Sequence, residues 1–361
     1  MTRFNQITQR LKAEQIDALL IFNAHNITYL SGFTGHAATA LVFADQAYLL
    51  TDYRYFEQAK DQCSTFKVIC RDRVNQSLAA LIQELLEKHA VAKLAFEADH
   101  ISHSIWTDME QHWSQISCVA CSRWIEDLRY VKDESEIQSI QLAALIADQA
   151  LTELLTVIKP GVTERELAIE LEYQMALLGS EEPSFSTIML AGERSALPHG
   201  IPGDKALTEG DLLLVDFGAV INGYHSDMTR TFVLGQADAK QKEIYQTVYD
   251  AQQAAMDVFK PGNNTEVVGE LLFQQSQHIL NQSQYAPYQG EGLGHGVGMD
   301  LHEFPFIGQG CHLTIKKNCV FTIEPGIYIP GWGGVRIEDD VYLSDDGLNR
   351  LTHFPRELME L

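Results

Sequence analysis

The feature that most constrains this chain is that its C-terminal part repeats itself. Val157-Ile158-Lys159-Pro160-Gly161 returns 101 positions later as Val258-Phe259-Lys260-Pro261-Gly262, and His199-x-x-Pro202 returns 103 positions later as His302-x-x-Pro305. Asp216 and Asp227 on one expected hairpin are matched, 108 and 111 positions on, by Glu324 and Glu338 on a second. An ordered set of markers with a slowly growing offset is what duplication followed by small insertions leaves behind. It predicts two related halves packed face to face, each giving a histidine and two carboxylates to one shared cleft.

Each half opens on helical patterns. Asp133-x-x-Glu136 reads as a capping box opening a long helix with Ile137, Ile140, Ala144, Leu145, Leu151, Leu155 and Ile158 on its apolar side, stopped by Lys159-Pro160-Gly161. Thr163-x-x-Glu166 caps a second helix that runs to Gly179 as a C′ glycine. Ahead of the repeat, residues 1–125 alternate short apolar runs with helical patterns, the mark of a separate α/β domain whose boundary with residues 126–361 falls near Trp124–Lys132. Within that first domain His25, His36, His100 and His103 read as structural groups.

The chemistry sits on the hairpins. Asn222-Gly223 is the favoured pair for a two-residue type I′ turn, and that turn makes partner numbers sum to 445, so Asp216 faces Thr229 and Asp227 faces Gly218. Asp216 and Asp227 are then diagonal neighbours on one face. Asp216 follows the apolar run Leu212–Val215, and a buried carboxylate needs either a cation or a strong donor such as Arg230 or another base. In the second hairpin a loop over Pro330–Gly334 centred on Trp332 puts Glu324, Arg336 and Glu338 on one face. Gly292, Gly294, Gly296 and Gly298, around His295 and before His302, let the backbone approach something closely. Four carboxylates and an imidazole suit two divalent ions of the manganese, cobalt or zinc type, and hence metal-assisted hydrolysis.

Composition narrows the partners. A net charge of −23 repels phosphate backbones and anionic membranes, which argues against nucleic acid or a membrane as partner. Cys118-x-x-Cys121 has no second such pair to complete a zinc site, and the six cysteines read as reduced thiols of a cytoplasmic protein. The N-terminus has no apolar signal-peptide core, and no stretch approaches the ~20 apolar residues of a membrane span.

Together these strings resemble the creatinase/methionine-aminopeptidase superfamily, metallopeptidase family M24, and within it the bacterial Xaa-Pro aminopeptidases and Xaa-Pro dipeptidases (prolidases). The resemblance rests on Tyr29-Leu-Ser-Gly-Phe-Thr-Gly35 and Thr51-Asp52-Tyr53-Arg54 in the first domain. In the second it rests on Ser195-Ala-Leu-Pro-His199-Gly, Val215-Asp216-Phe-Gly218, Gly294-His295-Gly-Val-Gly298, Ile323-Glu-Pro-Gly-Ile-Tyr-Ile-Pro330 and Gly334-Val-Arg-Ile-Glu-Asp339. It implies an α/β (α+β) protein: a creatinase-type N-terminal domain before a pita-bread catalytic domain with internal pseudo-twofold duplication. It implies two divalent ions per subunit, manganese first, with Asp216, Asp227, His295, Glu324 and Glu338 as ligands. Asp216 and Glu338 would bridge between Asp227 on one side and His295 and Glu324 on the other. His199 and His302 would bind the substrate carbonyl and the tetrahedral intermediate, Glu324 would move the proton, and Arg336 and Tyr328 would order the site. The implied substrate is a peptide with proline second, cut by an aminopeptidase. A prolidase restricted to dipeptides is the alternative, and a non-catalytic peptide-binding member of the fold the remote one. A homodimer is also implied. One departure stands out: Glu291 occupies a position, four before His295, where the family usually has histidine.

Overall fold

The computed structural model describes residues 2–259 and 267–361. Lys260-Pro261-Gly262 of the repeat lies outside the described residues. The chain divides into two compact units, Met1–Leu128 and Arg129–Leu361. Among the described residues no helix is long and apolar enough to cross a membrane.

The first unit is a six-stranded sheet. Its strands are β1 (Ala18–Ile21), β2 (Thr39–Phe43), β3 (Ala47–Thr51), β4 (Lys67–Cys70), β5 (Lys93–Glu97) and β6 (Ser117–Cys121), in the spatial order β4-β3-β2-β1-β5-β6. Strand β1 runs antiparallel to β2 and parallel to β5. The helices start where a side chain can take up a free backbone N–H. Thr2 caps α1 (Arg3–Ala13), Asn23 caps α2 (Ala24–Ser31) and, after α3 (Phe56–Gln62), Ser77 and Ser102 cap α4 (Leu78–Lys88) and α5 (His103–Glu110). The sequence reading passes over α2 and β6. Helix α2 is one cap and two turns, ended by Gly32 at φ 80°, too short for periodicity to reveal. A short α6 (Glu126–Arg129) follows.

The second unit carries the duplication in its topology. Helices α7 (Glu134–Leu154) and α8 (Glu164–Leu177) lead to β7 (Ile188–Ala191), β8 (Leu212–Phe217), the small β9 (Val220–Ile221) and β10 (Tyr224–His225), and β11 (Met228–Val233). The second half has α9 (Ala239–Met256), β12 (Val267–Val268), α10 (Gly269–Gln282), β13 (Gly294–Gly296), β14 (Glu303–Ile307), β15 (Thr314–Ile315), β16 (Val320–Ile323), β17 (Gly326–Ile329), β18 (Gly333–Arg336) and β19 (Asp339–Ser344). Strands β20 (Gly347–Arg350) and β21 (Met359–Glu360) close the chain. The two larger sheets are ordered β21-β11-β8-β7 and β14-β13-β16-β19-β20, beside the two-stranded ribbons β9-β10, β12-β15 and β17-β18. In each half, therefore, a helix pair precedes an antiparallel trio of the same order, β7-β8-β11 and β13-β16-β19.

Both expected capping boxes form, at Asp133/Glu136 and Thr163/Glu166, and Gly179 takes φ 103° just past α8. Helix α7 stops at Leu154, however, ahead of Pro160-Gly161. The run Thr156-Val157-Ile158 is β-branched and disfavours helix, so the last amides fold back three residues, as Val157 N to Leu154 O does. Ile158 accordingly lies beyond the helix, and Leu145, expected on its apolar side, is 46% exposed. The core of this half packs Ala147, Leu151, Leu171 and Met175 from the helices against Met189, Val215, Phe217 and Phe232 from the sheet.

Candidate metal centre

The two hairpins hold their carboxylates by register. Between β8 and β11 every partner pair sums to 445, from Leu212↔Val233 to Phe217↔Met228, and the same sum continues through Ile221↔Tyr224. Asn222 and Gly223 both have positive φ, 54° and 72°, as a type I′ turn requires. Asp216 sits opposite Thr229 as read from the sequence. In the second hairpin the pairs sum to 662 in both ladders, β16 with β19 and β17 with β18. The turn centre is Gly331 rather than Trp332, because Gly331 and Gly333 take φ 74° and 148° and tighten the loop to Pro330-Gly331-Trp332. Moving the centre by one residue shifts each pairing by two, which keeps every side chain on its face. Glu324 and Glu338, themselves summing to 662, fall opposite one another in the gap between the ladders.

All four carboxylates are taken largely out of water, though Glu324 keeps about a quarter of its side chain exposed (27%). The Arg336 guanidinium donates to Asp216 Oδ2, to Tyr328 Oη (2.8 Å), to Thr229 Oγ1 (2.9 Å) and to Pro198 O (3.3 Å). The base that neutralises Asp216 is thus Arg336. Arg230 sits on the opposite face of β11 and pairs with Asp339 at 2.7 Å. Thr229 donates to Glu338 Oε2 at 2.6 Å, and Thr322 to Glu324 Oε1 at 3.3 Å.

What remains is a surplus of acceptors. Asp216 Oδ1, Asp227 Oδ1 and Glu338 Oε1 are buried with no hydrogen-bond partner among the described residues. His295 Nδ1 lies 3.1 Å from Gly296 O and must donate to it, so Nε2 turns a lone pair toward Asp227 Oδ2 at 3.5 Å and Glu324 Oε1 at 3.6 Å. Ligand atoms of Asp227, His295 and Glu338 lie within 4.8 Å of one another. Burial, then the neighbouring Glu338 and Asp216, raises Asp227 well above the usual carboxylate range, and burial with Glu324 and Asp216 does the same for Glu338. Glu324 is pushed up to about 7 by burial, against the pull of Arg336. Burial lowers His295, keeping it a neutral donor of its lone pair. Acceptors crowded together in low dielectric are relieved by protons or by cations, and an oxygen-rich set with one imidazole fits divalent ions.

Asp227 clusters with both His295 and Glu338, whereas one oxygen of Asp216 is held by Arg336. Register puts Asp216 inside β8 beneath the guanidinium and leaves Asp227 in the gap before β11.

Of the other anticipated residues, His302 is exposed, with its ring 4.3 Å from that of His295, edge to face, and partial desolvation followed by the neighbouring His295 and His199 lowers its pKa. His199 and Glu291 are exposed. Tyr328 is raised by burial. The two glycines that flank His295, Gly294 and Gly296, serve the sheet. A Cβ on Gly294 would meet Thr322 O at 2.1 Å and one on Gly296 would meet Phe304 O at 2.3 Å, so they let β13 fit between β16 and β14. Two participants were missed. Thr229 links Arg336 to Glu338, and its pairing with Asp216 was the available signal. Asp340, fully buried, accepts from Asp227 N at 2.7 Å, and only the run Glu338-Asp339-Asp340 in an apolar setting hinted at it.

Comparison with known proteins places these features in a wider group. Residues 138–345 match Metallopeptidase family M24 and residues 3–131 match the Creatinase/Prolidase N-terminal domain. The chain is 36% identical to an Xaa-Pro dipeptidase of Pyrococcus furiosus over 99% of each chain. An Xaa-Pro dipeptidase from Bacillus anthracis superposes with TM-score 0.94 at 34% identity, covering 99% of each chain. The X-Pro aminopeptidase from Thermotoga maritima does so with TM-score 0.91 at 34% identity, covering 100% of each.

Proposed function

The chain belongs to metallopeptidase family M24, and from that premise we propose that it hydrolyses the bond between a peptide's N-terminal residue and a proline in second position. The observation that carries this reading is the buried set of unpartnered acceptors on the two hairpins, in a chain alike over its whole length to proteins named for Xaa-Pro cleavage. Asp216, Asp227, His295, Glu324 and Glu338 would hold two divalent ions, with manganese, cobalt and zinc all suited to the donors. Such ions supply Lewis-acid polarisation of the scissile carbonyl and activation of water.

The chain's own residues do the rest. Glu324, beside the place of the attacking water, accepts a proton from it and returns that proton to the departing proline nitrogen. His302 and His199 donate to the carbonyl oxygen as charge gathers on it. Arg336 holds Asp216 and Tyr328 in place through its fork of donors. A proline nitrogen in a peptide bond has no hydrogen, so a pocket that asks for no donor there accepts it.

On the finer question, the reading from sequence is an aminopeptidase acting on peptides of three or more residues. A dipeptidase is the second reading, favoured by relatives so named at 36% and 35% identity. Metal-stripped protein reconstituted with Mn²⁺, Co²⁺ or Zn²⁺ and given Xaa-Pro-Xaa beside Xaa-Pro decides between them. Faster release of the first residue from the tripeptide supports the aminopeptidase, and cleavage of the dipeptide alone the dipeptidase. No cleavage of either with any metal would sink the hydrolytic reading.

A further inference from the structure

Each of the two histidines assigned to the substrate lies on a segment fastened by a buried carboxylate and its basic partners. Glu164, at the start of α8, is fully buried. Its Oε1 accepts from Ala191 N (2.8 Å) and Arg194 Nε (3.0 Å), and its Oε2 from Gly203 N (2.8 Å) and Arg194 Nε (3.0 Å). Ala191 and Gly203 are the two ends of the segment that carries His199, so a single carboxylate draws those ends together. Arg194 then crosses the segment to donate to Ile201 O at 2.7 Å, two residues from His199.

The second half achieves the same end with different residues. Glu303, the neighbour of His302, is buried and accepts from Arg129 (2.8 Å) and Lys132 (2.5 Å). Arg129 also reaches Asp300 at 2.5 Å, so its guanidinium spans the residues on either side of Leu301-His302. Arg129 and Lys132 are both about 98% buried, and charges so placed are costly unless their geometry is kept. A merely stabilising role could be filled by apolar packing of the same volume. Ion pairs placed at the ends of one histidine segment, and around the other, fix direction as well as position.

We infer that the buried Glu164–Arg194 and Glu303–Arg129–Lys132 clasps are positioning groups for His199 and His302 respectively, each holding its histidine segment in the geometry that hydrolysis requires. The inference rests on the roles proposed above for those histidines. Its test is a pair of double-mutant cycles in the metal-loaded full chain: Glu164→Gln with His199→Ala, and Glu303→Gln with His302→Ala. Each clasp variant is expected to lower kcat/KM at least tenfold, with metal stoichiometry unchanged, and to add less than threefold further loss once its own histidine is gone. The crossed combinations, Glu164→Gln with His302→Ala and the reverse, are expected to come closer to multiplying. Arg194→Lys, at a side chain one-third exposed, serves where Glu164→Gln fails to fold and should show the same coupling at smaller size. Amide hydrogen exchange gives a readout independent of activity: Glu164→Gln should speed exchange in residues 192–203 and leave 295–303 as in wild type. Full multiplicativity of each clasp with its own histidine, or unchanged exchange in 192–203, overturns the inference while wild-type hydrolysis stands. Absence of hydrolysis by wild type with every metal is the separate failure of the proposed function.

Discussion

Glu338 and Asp339 are neighbours in sequence, both buried, and they live in opposite electrostatic worlds. Asp339 turns to one side of β19, where Arg230 and Thr352 share one of its oxygens and Gln252 takes the other, with Arg350 nearby. Glu338 turns to the other side, toward Glu324, Asp216 and Asp227, and one of its oxygens has no partner. The first cluster is neutralised by groups already in the chain and needs nothing more. The second is acid-rich, with the single guanidinium of Arg336 set against four carboxylates, and its completion lies outside the protein. Alternation of side from Glu338, just before β19, to Asp339, its first residue, separates a cluster that holds the fold from one that the fold must hold open.

The sharpest way to break this contrast is to neutralise one member of each cluster. Asp227→Asn should lower kcat/KM by about a thousandfold or more, since it removes a proposed ligand, and yet raise the melting temperature in chelator by relieving like-charge crowding. Calorimetry and initial rates on one preparation check both. Arg230→Met should do the reverse in kind, costing about 3–5 kcal/mol in chemical denaturation with or without metal, because it strands a buried Asp339. Adding metal to the stripped protein should raise stability by about 4 kcal/mol at a thousand times the dissociation constant, and Asp227→Asn should abolish most of that gain.

The pH dependence should differ in sign. Burial pushes Asp339 upward, but Arg230 and Arg350 outweigh it and hold it below its ordinary value. Its contribution is therefore fully present above the unfolded pKa of about 4 and is lost as pH falls through the folded value. Asp227 and Glu338 are raised, so the metal-free fold binds protons that the unfolded chain has released, and their penalty grows as pH climbs above about 4. In chelator, the advantage of Asp227→Asn over wild type should vanish in acid and grow steadily as pH rises from about 4 through neutrality. The deficit of Asp339→Asn should likewise shrink in acid, and parallel behaviour of opposite sign in the two melts is the check. The smallest effect belongs to neither cluster. Gly223→Ala, with open space around the added methyl but φ at 72°, should cost about 1–2 kcal/mol and leave kcat/KM unchanged.

Much of this was legible in the sequence because it depends on counting. The type I′ turn at Asn222-Gly223 fixes the sum 445, and everything from Leu212 to Val233 follows from it. The second hairpin was read one residue off because Gly331, Gly333 and Gly334 offer several turn centres and only tertiary packing chooses among them. Partnership across the strands was not legible. That Asp216 would take Arg336 and Asp339 would take Arg230 depends on which face each strand turns inward. The glycines of β13 looked like an approach to a ligand and proved to be an approach to neighbouring strands, since a missing Cβ does not say what fills its place.

The register has a consequence for how such a chain can change over time. Asp216 and Asp227 stand 11 residues apart and Glu324 and Glu338 stand 14 apart, yet both pairs land on one face of their hairpin. Residues gained or lost at a tip leave each residue of the strands below with the same partner, whereas one residue gained inside a strand turns every later side chain away from the centre. Lineages of this fold are thus free to lengthen and reshape the outer ends of both hairpins, and the growth of the offset across the hairpins, from 108 at Asp216/Glu324 to 111 at Asp227/Glu338, has the form that such lopsided tolerance leaves behind.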